Sequence, residues 1–212
     1  MNFNQITTLA ITALLAYLAG SIPFGLLIGL ARGVDVRKAG SRNIGATNVL
    51  RTVGKPWGVL AFLLDFAKGI AGAMVVTAIA ARISGDSGLS AECLKITGGF
   101  FAVAGHNWPV WLKFRGGKGV ATSAGMMLAI IPMQLGIALI VWIAVLLAFR
   151  YVSLASICAA VALATGAWIL RNGEDAAVPI LATVLAVFVI ARHHANIARL
   201  LSGTENRFSF RK

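Results

Sequence analysis

Charged residues are scarce in this chain, and acidic residues are the scarcest. Only 12% of its 212 residues are charged, and these comprise 19 basic against 7 acidic side chains. A soluble domain carries about 25% charged residues, whereas 58% of this chain is hydrophobic. A membrane-spanning helix needs about 20 mainly apolar residues, so the length leaves room for about five to seven spans. We therefore predict one membrane domain over residues 1–212.

Cysteine is nearly absent, and no basic residue precedes the first apolar run. Cys93 and Cys158 form no CxxC pair and fall in different apolar segments, which argues against a disulfide or a metal site. The run over residues 6–29 is too long for a signal peptide and is predicted to be a transmembrane helix. The net charge of +12 is divided among loops between apolar segments, as topology requires. We therefore predict no nucleic-acid partner.

Several catalytic motifs are also missing. No His-x4-Asp motif occurs, because the residues five positions after the three histidines are Trp111, Ala198 and Arg199. There is no GxSxG elbow, and no set of His and carboxylate residues stands at metal-ligand spacing. These absences argue against a metal-dependent or triad hydrolase.

The apolar segments predict an all-α integral membrane protein with seven transmembrane helices. The segments are 5–30, 57–81, 93–112, 119–131, 134–149, 153–170 and 177–191. The fourth and fifth come from one stretch, 119–149, which would be ~45 Å long as a single helix. Pro132 near its middle predicts a break and a hairpin. The alternative is one long, tilted or kinked span.

The basic residues predict the orientation. With seven spans, 15 of the 19 basic residues fall on one side: Arg32, Arg37, Lys38, Arg42, Arg51, Lys55, Lys113, Arg115, Lys118, Arg150, Arg192, Arg199, Arg207, Arg211 and Lys212. The other side holds Arg82, Lys95 and Arg171 with the acidic Asp86, Glu92, Glu174 and Asp175. Cytoplasmic loops carry the excess of Lys and Arg. We predict an external N-terminus and a cytoplasmic C-terminus.

Three connecting segments on the basic side are too polar and glycine-rich to be plain loops. They are residues 39–51, 105–122 and 192–207. Basic, amide and hydroxyl side chains collected at one membrane face predict a site for an anionic, phosphorylated small molecule. Each segment also has a purely structural interpretation.

The first segment combines polar side chains with glycines at 40 and 45. Its candidate ligands of phosphate are Asn43, Thr47, Asn48 and Arg51, with Ser41 beside them. Backbone N–H groups, hydroxyls and amides together can hold an anion, and arginine binds phosphate through two parallel hydrogen bonds. The alternative is a solvated loop that caps the following helix.

The second segment places a glycine-rich turn before an apolar helix. Gly116, Gly117, Lys118 and Gly119 are predicted to bind phosphate, because a helix N-terminus attracts anions and Lys118 adds a full charge. The spacing is not that of a Walker A loop. His106 lies where the third span is expected to meet the interface, and its alternative role is that of a hydrogen-bonded interfacial histidine.

The third segment follows the last span. Arg192, Asn196 and Arg199 are spaced to share one helix face, next to His193. Such a basic helix can equally bind anionic lipid headgroups.

Two further patterns lie inside the spans. Asp65 and Lys68 stand three residues apart in the second span, where buried charges are costly unless paired. A structural ion pair and a role in shaping the site are both open. Small residues at 21, 25, 29 and 33 predict a close-packing face for a neighbouring helix.

Five sequences follow one another along the chain: GSRNIGATNVLR, LLDFAKG, GHNWPVWLKFRGGKGVAT, RYVSLAS and RHHANIARLLSGTE. Taken together and in this order, they resemble the bacterial PlsY family, the membrane acyl-phosphate:glycerol-3-phosphate acyltransferases. Family members usually have Ser-Gly-Asn where this chain has Ser-Arg-Asn. Arg42 in place of glycine either affects the backbone angle of the loop or adds a cationic contact.

The resemblance implies a fold, a reaction and a location. The expected fold is seven-spanning, in the bacterial inner membrane, with the site on the cytoplasmic face. Its substrates would be acyl phosphate and glycerol 3-phosphate, its surroundings membrane lipid, and its products lysophosphatidate and inorganic phosphate. Because acyl phosphate is an activated anhydride, no cofactor and no metal are expected. We further predict a monomer.

The resemblance also implies residue roles, with some left open. Catalytic roles are expected for Ser41, His106 and Lys118, and phosphate binding for Asn43, Thr47, Asn48, Arg51, Gly116, Gly117, Lys118, Gly119, His193 and Asn196. Either His106 or the substrate's own phosphate could be the general base, and acylation of Ser41 is a further alternative. The acyl-chain preference stays open. Two other functions remain as alternatives: a transporter of a phosphorylated solute and an acyl-CoA-dependent acyltransferase.

Overall fold

The structure is a computed structural model that describes residues 1–85, 87–171 and 175–209, without the side chain of Ser84. It divides into two compact units, Met1–Ile130 and Ile131–Lys212. Four residues of the charge-based orientation argument, Asp86, Glu174, Arg211 and Lys212, lie outside the described residues. All regular elements in the described ranges are helical, so the predicted all-α class is confirmed.

The described part of the first unit, 1–85 and 87–130, forms seven α-helices. They are α1 (Phe3–Gly20), α2 (Phe24–Ala31), α3 (Ala46–Thr52), α4 (Lys55–Ala71), α5 (Thr77–Ser84), α6 (Ala91–Asn107) and α7 (Val120–Ile130). A π-helical segment, Gly72–Val76, joins α4 to α5 without a break, and a 3-10 turn, Val110–Leu112, follows α6. α6 packs against α1, and α7 packs against α4 and α6.

Sequence-local signals set several of these boundaries. Asn2 caps α1 through a reciprocal pair of hydrogen bonds with Gln5. Pro23 separates α1 from α2, because proline lacks the N–H that would continue the helix. Ser90 accepts a hydrogen bond from Cys93 N–H and so caps α6. The predicted first span is therefore two helices.

In the second unit, residues 131–171 and 175–209 form four α-helices. They are α8 (Pro132–Phe149), α9 (Val152–Leu170), α10 (Ala177–Arg192) and α11 (His194–Leu201). α9 packs between α8 and α10, and Trp142 Nε1 donates to Ser156 Oγ at 3.2 Å across the first of these contacts. The predicted break at Pro132 is confirmed, since α7 ends at Ile130 and Pro132 is the first residue of α8.

By length and composition alone, fewer segments qualify as membrane spans than the seven predicted. Among the described residues, four segments are long and apolar enough to cross a membrane: Phe3–Ala31, Lys55–Ile83, Pro132–Phe149 and Val152–Leu170. A fifth is the pair α10 and α11, bent by 58° at His193. At 11 residues, α7 is about 16 Å long, and α6 ends at Asn107, five residues short of the predicted segment. Seven spans therefore stay a prediction.

The small residues of the first span pack against a loop, and not against the neighbouring helix that their spacing predicts. A methyl group on Gly25 would overlap the carbonyl of Ile44, and one on Gly29 would lie 2.7 Å from Val34 O. The loop after α2 therefore folds back onto α2. A methyl group on Gly33 would meet nothing within 4 Å, and Gly33 instead turns the chain at φ 77°. Close packing is therefore present at Gly25 and Gly29, but against a loop and not the predicted helix, and the prediction is wrong at Gly33.

The orientation can be tested by labelling single cysteines in a variant without Cys93 and Cys158. Cysteine at Gln5, Ala91 or Pro132 should react with a membrane-impermeant reagent in intact cells, because the prediction collects the basic loops inside. Cysteine at the exposed Lys113 is the control and should react only after permeabilisation. Protection of position 132 while position 5 reacts would contradict the hairpin.

Candidate active site

Asn48 organises the connection between α2 and α3. Its side chain is 2% exposed, and its Oδ1 accepts the backbone N–H of Ser41 at 2.8 Å. Its Nδ2 lies 2.8–3.1 Å from the carbonyl oxygens of Val36, Ala39 and Asn43. Both ends of the amide are therefore engaged by the loop. This favours a positioning role for Asn48 in place of the predicted direct contact with phosphate.

Two left-handed residues shape the same loop. Gly40 has φ 57°, and a methyl group there would overlap Asn48 Oδ1. Arg42 has φ 58°, so it adopts the backbone angle for which glycine is favoured. The departure from the family pattern therefore keeps a left-handed backbone at the cost of steric strain.

Replacing Arg42 by glycine should stabilise the protein. A side chain in the left-handed region costs roughly 1–2 kcal/mol, which glycine avoids. We expect Arg42→Gly to raise the free energy of unfolding by about 1 kcal/mol, measured by thermal unfolding in detergent. Lys38→Gly is the control, because Lys38 is also exposed but has no positive φ. Equal or lower stability of Arg42→Gly would contradict the strain argument.

The loop presents its remaining polar groups outward. Ser41, Thr47 and Arg51 are exposed, and Thr47 and Arg51 share one face of α3 because they stand four residues apart. Asn43 Oδ1 accepts the N–H of Gly45 at 2.8 Å, which fixes the turn into α3. The first segment thus places hydroxyl and guanidinium groups where an anion can reach them.

A buried apolar cluster places the first two polar segments on the same part of the first unit. Its buried members are Leu26, Val36, Ile44, Val49 and Ala61. Leu112, from the second segment, packs against this cluster. The two segments, distant in sequence, therefore share one support.

The second segment folds back onto the end of α6. The N–H of Gly117 donates to the carbonyl of His106 at 3.0 Å, and that of Gly116 to the carbonyl of Asn107 at 3.2 Å. Tyr17 on α1 holds Trp108, the residue that follows α6, because the Tyr17 hydroxyl donates to the Trp108 carbonyl oxygen at 2.7 Å. The end of α6 is therefore fixed both by α1 and by the glycine-rich turn.

Glycine is required in this turn because atoms of neighbouring residues occupy the space that a side chain would need. A methyl group at Gly117 would overlap Nε2 of His106, and one at Gly119 would lie 2.8 Å from Oδ1 of Asn107. Gly119 also turns the chain at φ 77° directly before α7. Lys118, half-buried, lies between them at the helix N-terminus. A lysine beside a helix N-terminus suits an anion, because both carry positive charge.

Two further polar residues border this turn. Asn107 and Thr122 are fully buried, and neither the amide atoms of Asn107 nor the hydroxyl of Thr122 has a hydrogen-bond partner among the described residues. Buried polar groups are normally satisfied by protein or bound water. Both side chains are therefore candidates to bind water or substrate, and the sequence alone did not distinguish them.

Asp65 and Lys68 form a buried pair on α4, as one of the two interpretations predicted. Lys68 Nζ lies 2.8 Å from Asp65 Oδ1 and donates to the carbonyl of Ile22 at 2.9 Å. The same carboxylate oxygen lies 3.4 Å from Nδ1 of His106. The pair is thus connected to the second segment, a link that its spacing in sequence does not reveal.

Comparison with known proteins decides the family. The family model of glycerol-3-phosphate acyltransferase matches residues 10–203. The chain belongs to this family. The predicted resemblance is confirmed, and the chain is therefore an acyltransferase.

Relatives and solved structures agree with this assignment. The glycerol-3-phosphate acyltransferases of Desulforamulus reducens and Aquifex aeolicus are each 42% identical to this chain, over 93% and 91% of it and 94% and 95% of their own lengths. Crystal structures of PlsY (YgiH), an integral membrane glycerol 3-phosphate acyltransferase, are also similar. Its glycerol 3-phosphate form has a TM-score of 0.82 at 41% identity, covering 95% of this chain and 96% of PlsY. Its lysophosphatidic acid form has a TM-score of 0.80 at 40% identity, covering 95% of each chain.

The third polar segment of the acyltransferase lies in the second unit, and Glu205 organises it. Glu205 accepts hydrogen bonds from Asn196 Nδ2 at 2.6 Å, Arg199 Nε at 2.7 Å and Ser153 Oγ at 2.8 Å. Burial alone would raise the pKa of Glu205, but these hydrogen bonds outweigh it and lower the pKa below its ordinary value. The carboxylate therefore stays charged near neutral pH and fixes Asn196.

One prediction for this segment is wrong. Arg192 does not share a helix face with Asn196 and Arg199, because α10 ends at Arg192 and the chain bends by 58° before α11 begins. At the bend, the buried His193 contacts the carbonyl of Val189 through Nδ1 at 2.7 Å. The i, i+4, i+7 spacing assumed one continuous helix, and the break removes that assumption.

Proposed function

We propose that the enzyme transfers the fatty acyl group of an acyl phosphate to position 1 of sn-glycerol 3-phosphate, giving lysophosphatidate and inorganic phosphate. The observation that supports this most is the likeness to PlsY over 95% of the chain, in a glycerol 3-phosphate form and a lysophosphatidic acid form. Those two ligands differ by one acyl group, so they correspond to the acceptor and the product of this transfer.

The charges of the first unit suit two phosphate substrates. The turn at 116–119 places Lys118 at the N-terminus of α7, and α3 carries the exposed Thr47 and Arg51. Cationic groups that are fixed in advance stabilise the charge that develops on the leaving phosphate. Orientation of the two substrates can contribute ~7–11 kcal/mol to the lowering of the barrier.

In the second unit, His193 and Asn196 keep their predicted role as phosphate ligands.

The chemical step is an acyl transfer between the two substrates. The position-1 oxygen of glycerol 3-phosphate attacks the acyl carbonyl carbon, and a new C–O ester bond forms. The C–O bond to the phosphate breaks, and the phosphate leaves with its electron pair. The hydroxyl proton passes either to His106 or to a phosphate oxygen. Ser41, held by Asn48 through its backbone, is proposed to orient the reacting groups.

The location is part of the proposal. Membership of an integral membrane family and the apolar helices support a multi-pass protein of the bacterial inner membrane. The basic loops support an active site on the cytoplasmic face. We propose that the enzyme acts as a monomer that takes its acyl donor from the membrane.

The proposal is tested by the acyl donor that the enzyme uses. Purified enzyme should transfer the palmitoyl group of palmitoyl phosphate, but not that of palmitoyl-CoA, to radiolabelled glycerol 3-phosphate. Activity should survive EDTA, because the mixed anhydride is already activated, and millimolar inorganic phosphate should compete, because it is also a product. Turnover with palmitoyl-CoA alone would overturn the donor. If neither donor works and proteoliposomes take up glycerol 3-phosphate, the transporter alternative is favoured.

A further inference from the structure

Three ionisable side chains lie together, buried, in the first unit. The side chains of Asp65 and Lys68 on α4 and of His106 on α6 are each exposed by 5% or less. Lys68 also lies 5.6 Å from the ring centre of Phe24. Ionisable groups inside a membrane domain are costly and usually have a function. An ion pair alone does not need a third titratable partner, so the position of His106 calls for an explanation.

The two nitrogens of the His106 ring lie in different surroundings. Nδ1 is 3.4 Å from Asp65 Oδ1, longer than an ideal hydrogen bond of about 2.9 Å, and the carboxylate attracts the ring when Nδ1 carries a proton. Nε2 is on the opposite side, next to the backbone of Gly117. A carboxylate facing one nitrogen of a histidine determines which nitrogen carries the proton and how the ring is oriented. Here that partner is Asp65.

The orientation of this ring bears directly on the glycine-rich turn. Gly117 contacts His106 twice, through its N–H to the His106 carbonyl at 3.0 Å and through its Cα side against Nε2. Lys118 is the next residue. A rotated ring would displace Gly117 and, with it, Lys118.

We infer that Asp65 is a positioning residue for phosphate binding: with Lys68 it fixes the His106 ring, and the ring sets the position of Gly117 and Lys118. Lys68 is itself anchored to the carbonyl of Ile22, so the carboxylate oxygen that faces His106 has a fixed partner. This inference rests on the proposed function, because it gives the turn at 116–119 the role of phosphate site.

The test combines Asp65→Asn with a change of His106. Asp65→Asn keeps the size of the side chain and removes its charge. We expect it to weaken the binding of inorganic phosphate about tenfold, as a displaced anion site would. In kinetics it should raise the KM of the same substrate that Lys118→Ala affects. Asp35→Asn, which breaks the exposed ion pair with Arg37, is the control and should change neither quantity.

A double-mutant cycle shows whether Asp65 acts through His106. Asp65→Asn should have little further effect on phosphate binding in a His106→Gln background, because the ring that Asp65 orients is gone. Fully additive effects of the two changes would overturn the inference. So would phosphate binding by Asp65→Asn that equals that of the wild type.

A further variant separates positioning from stability. Asp65→Asn leaves a buried unpaired ammonium and can unfold the protein for that reason alone. Asp65→Asn/Lys68→Gln removes both charges. We expect it to recover thermal stability but not phosphate affinity, whereas recovery of both would mean a structural ion pair only. Phosphate binding is measured without a donor, so a wild type that binds phosphate but transfers no acyl group would refute the proposed function and leave this test intact.

Discussion

Replacing Gly117 by alanine should reduce kcat/KM by about 100-fold or more, because displacement by about 1 Å can cost that much. The added methyl group would overlap Nε2 of His106. The ring cannot move away freely, because it is 5% exposed and lies against Asp65 on its other side. The turn must therefore shift, and the turn carries Lys118. Overpacking should also lower the free energy of unfolding by about 1–3 kcal/mol.

Two variants make this prediction specific. Gly136→Ala is the matched control, because a methyl group at Gly136 meets nothing within 4 Å. Its activity should be that of the wild type. His106→Ala/Gly117→Ala removes the ring that the methyl group would strike, so it should recover thermal stability without recovering activity. Wild-type kinetics of Gly117→Ala would show that the turn has no part in binding or transfer.

Lys118→Ala is expected to have the second large effect, a loss of kcat/KM of about 100- to 1,000-fold, the range seen when one preorganised charge-stabilising group is removed. Lys118 supplies the only full charge within the turn 116–119, next to the N-terminus of α7. If it holds a phosphate equally in the ground and transition states, KM alone rises. If it stabilises the leaving phosphate, kcat falls as well. Steady-state kinetics for both substrates distinguish these results.

The control for Lys118→Ala comes from the same connection. Lys113 is exposed and keeps its left-handed backbone, φ 51°, with alanine as with lysine. Lys113→Ala removes a charge near the site without removing one from the turn. Equal losses in the two variants would show that the effect is the general charge of this face and would contradict a phosphate contact by Lys118.

Most helix positions could be predicted from the sequence, because they depend on local properties. Long apolar runs placed α8, α9 and α10 to within two residues of the observed bounds. Pro132 marked the break between α7 and α8, since proline removes a backbone donor. The prediction failed at the first span, where the break before α2 at Pro23 was missed. It also failed at His193, because the spacing of residues 192, 196 and 199 assumed one continuous helix.

Part of the candidate site could also be predicted. The glycines at 116, 117 and 119 and the basic residues at 51 and 118 have chemical characters that indicate anion binding before any contact is seen. Asn48 shows the limit of prediction from sequence, because its amide can donate hydrogen bonds either to a ligand or to the loop's own carbonyl groups. Which of these it contacts depends on how the loop folds.

The sequence by itself determined the class of the protein, its membrane environment and its family, because these follow from composition, apolar length and local motifs. Only the tertiary structure decided that Asp65 faces His106 and that the His106 ring lies against Gly117. It likewise decided that Glu205 fixes Asn196. These contacts join residues far apart in the chain, and their existence depends on the packing of helices and loops. Local propensities constrain each segment, whereas the contacts between segments are set by packing within each unit.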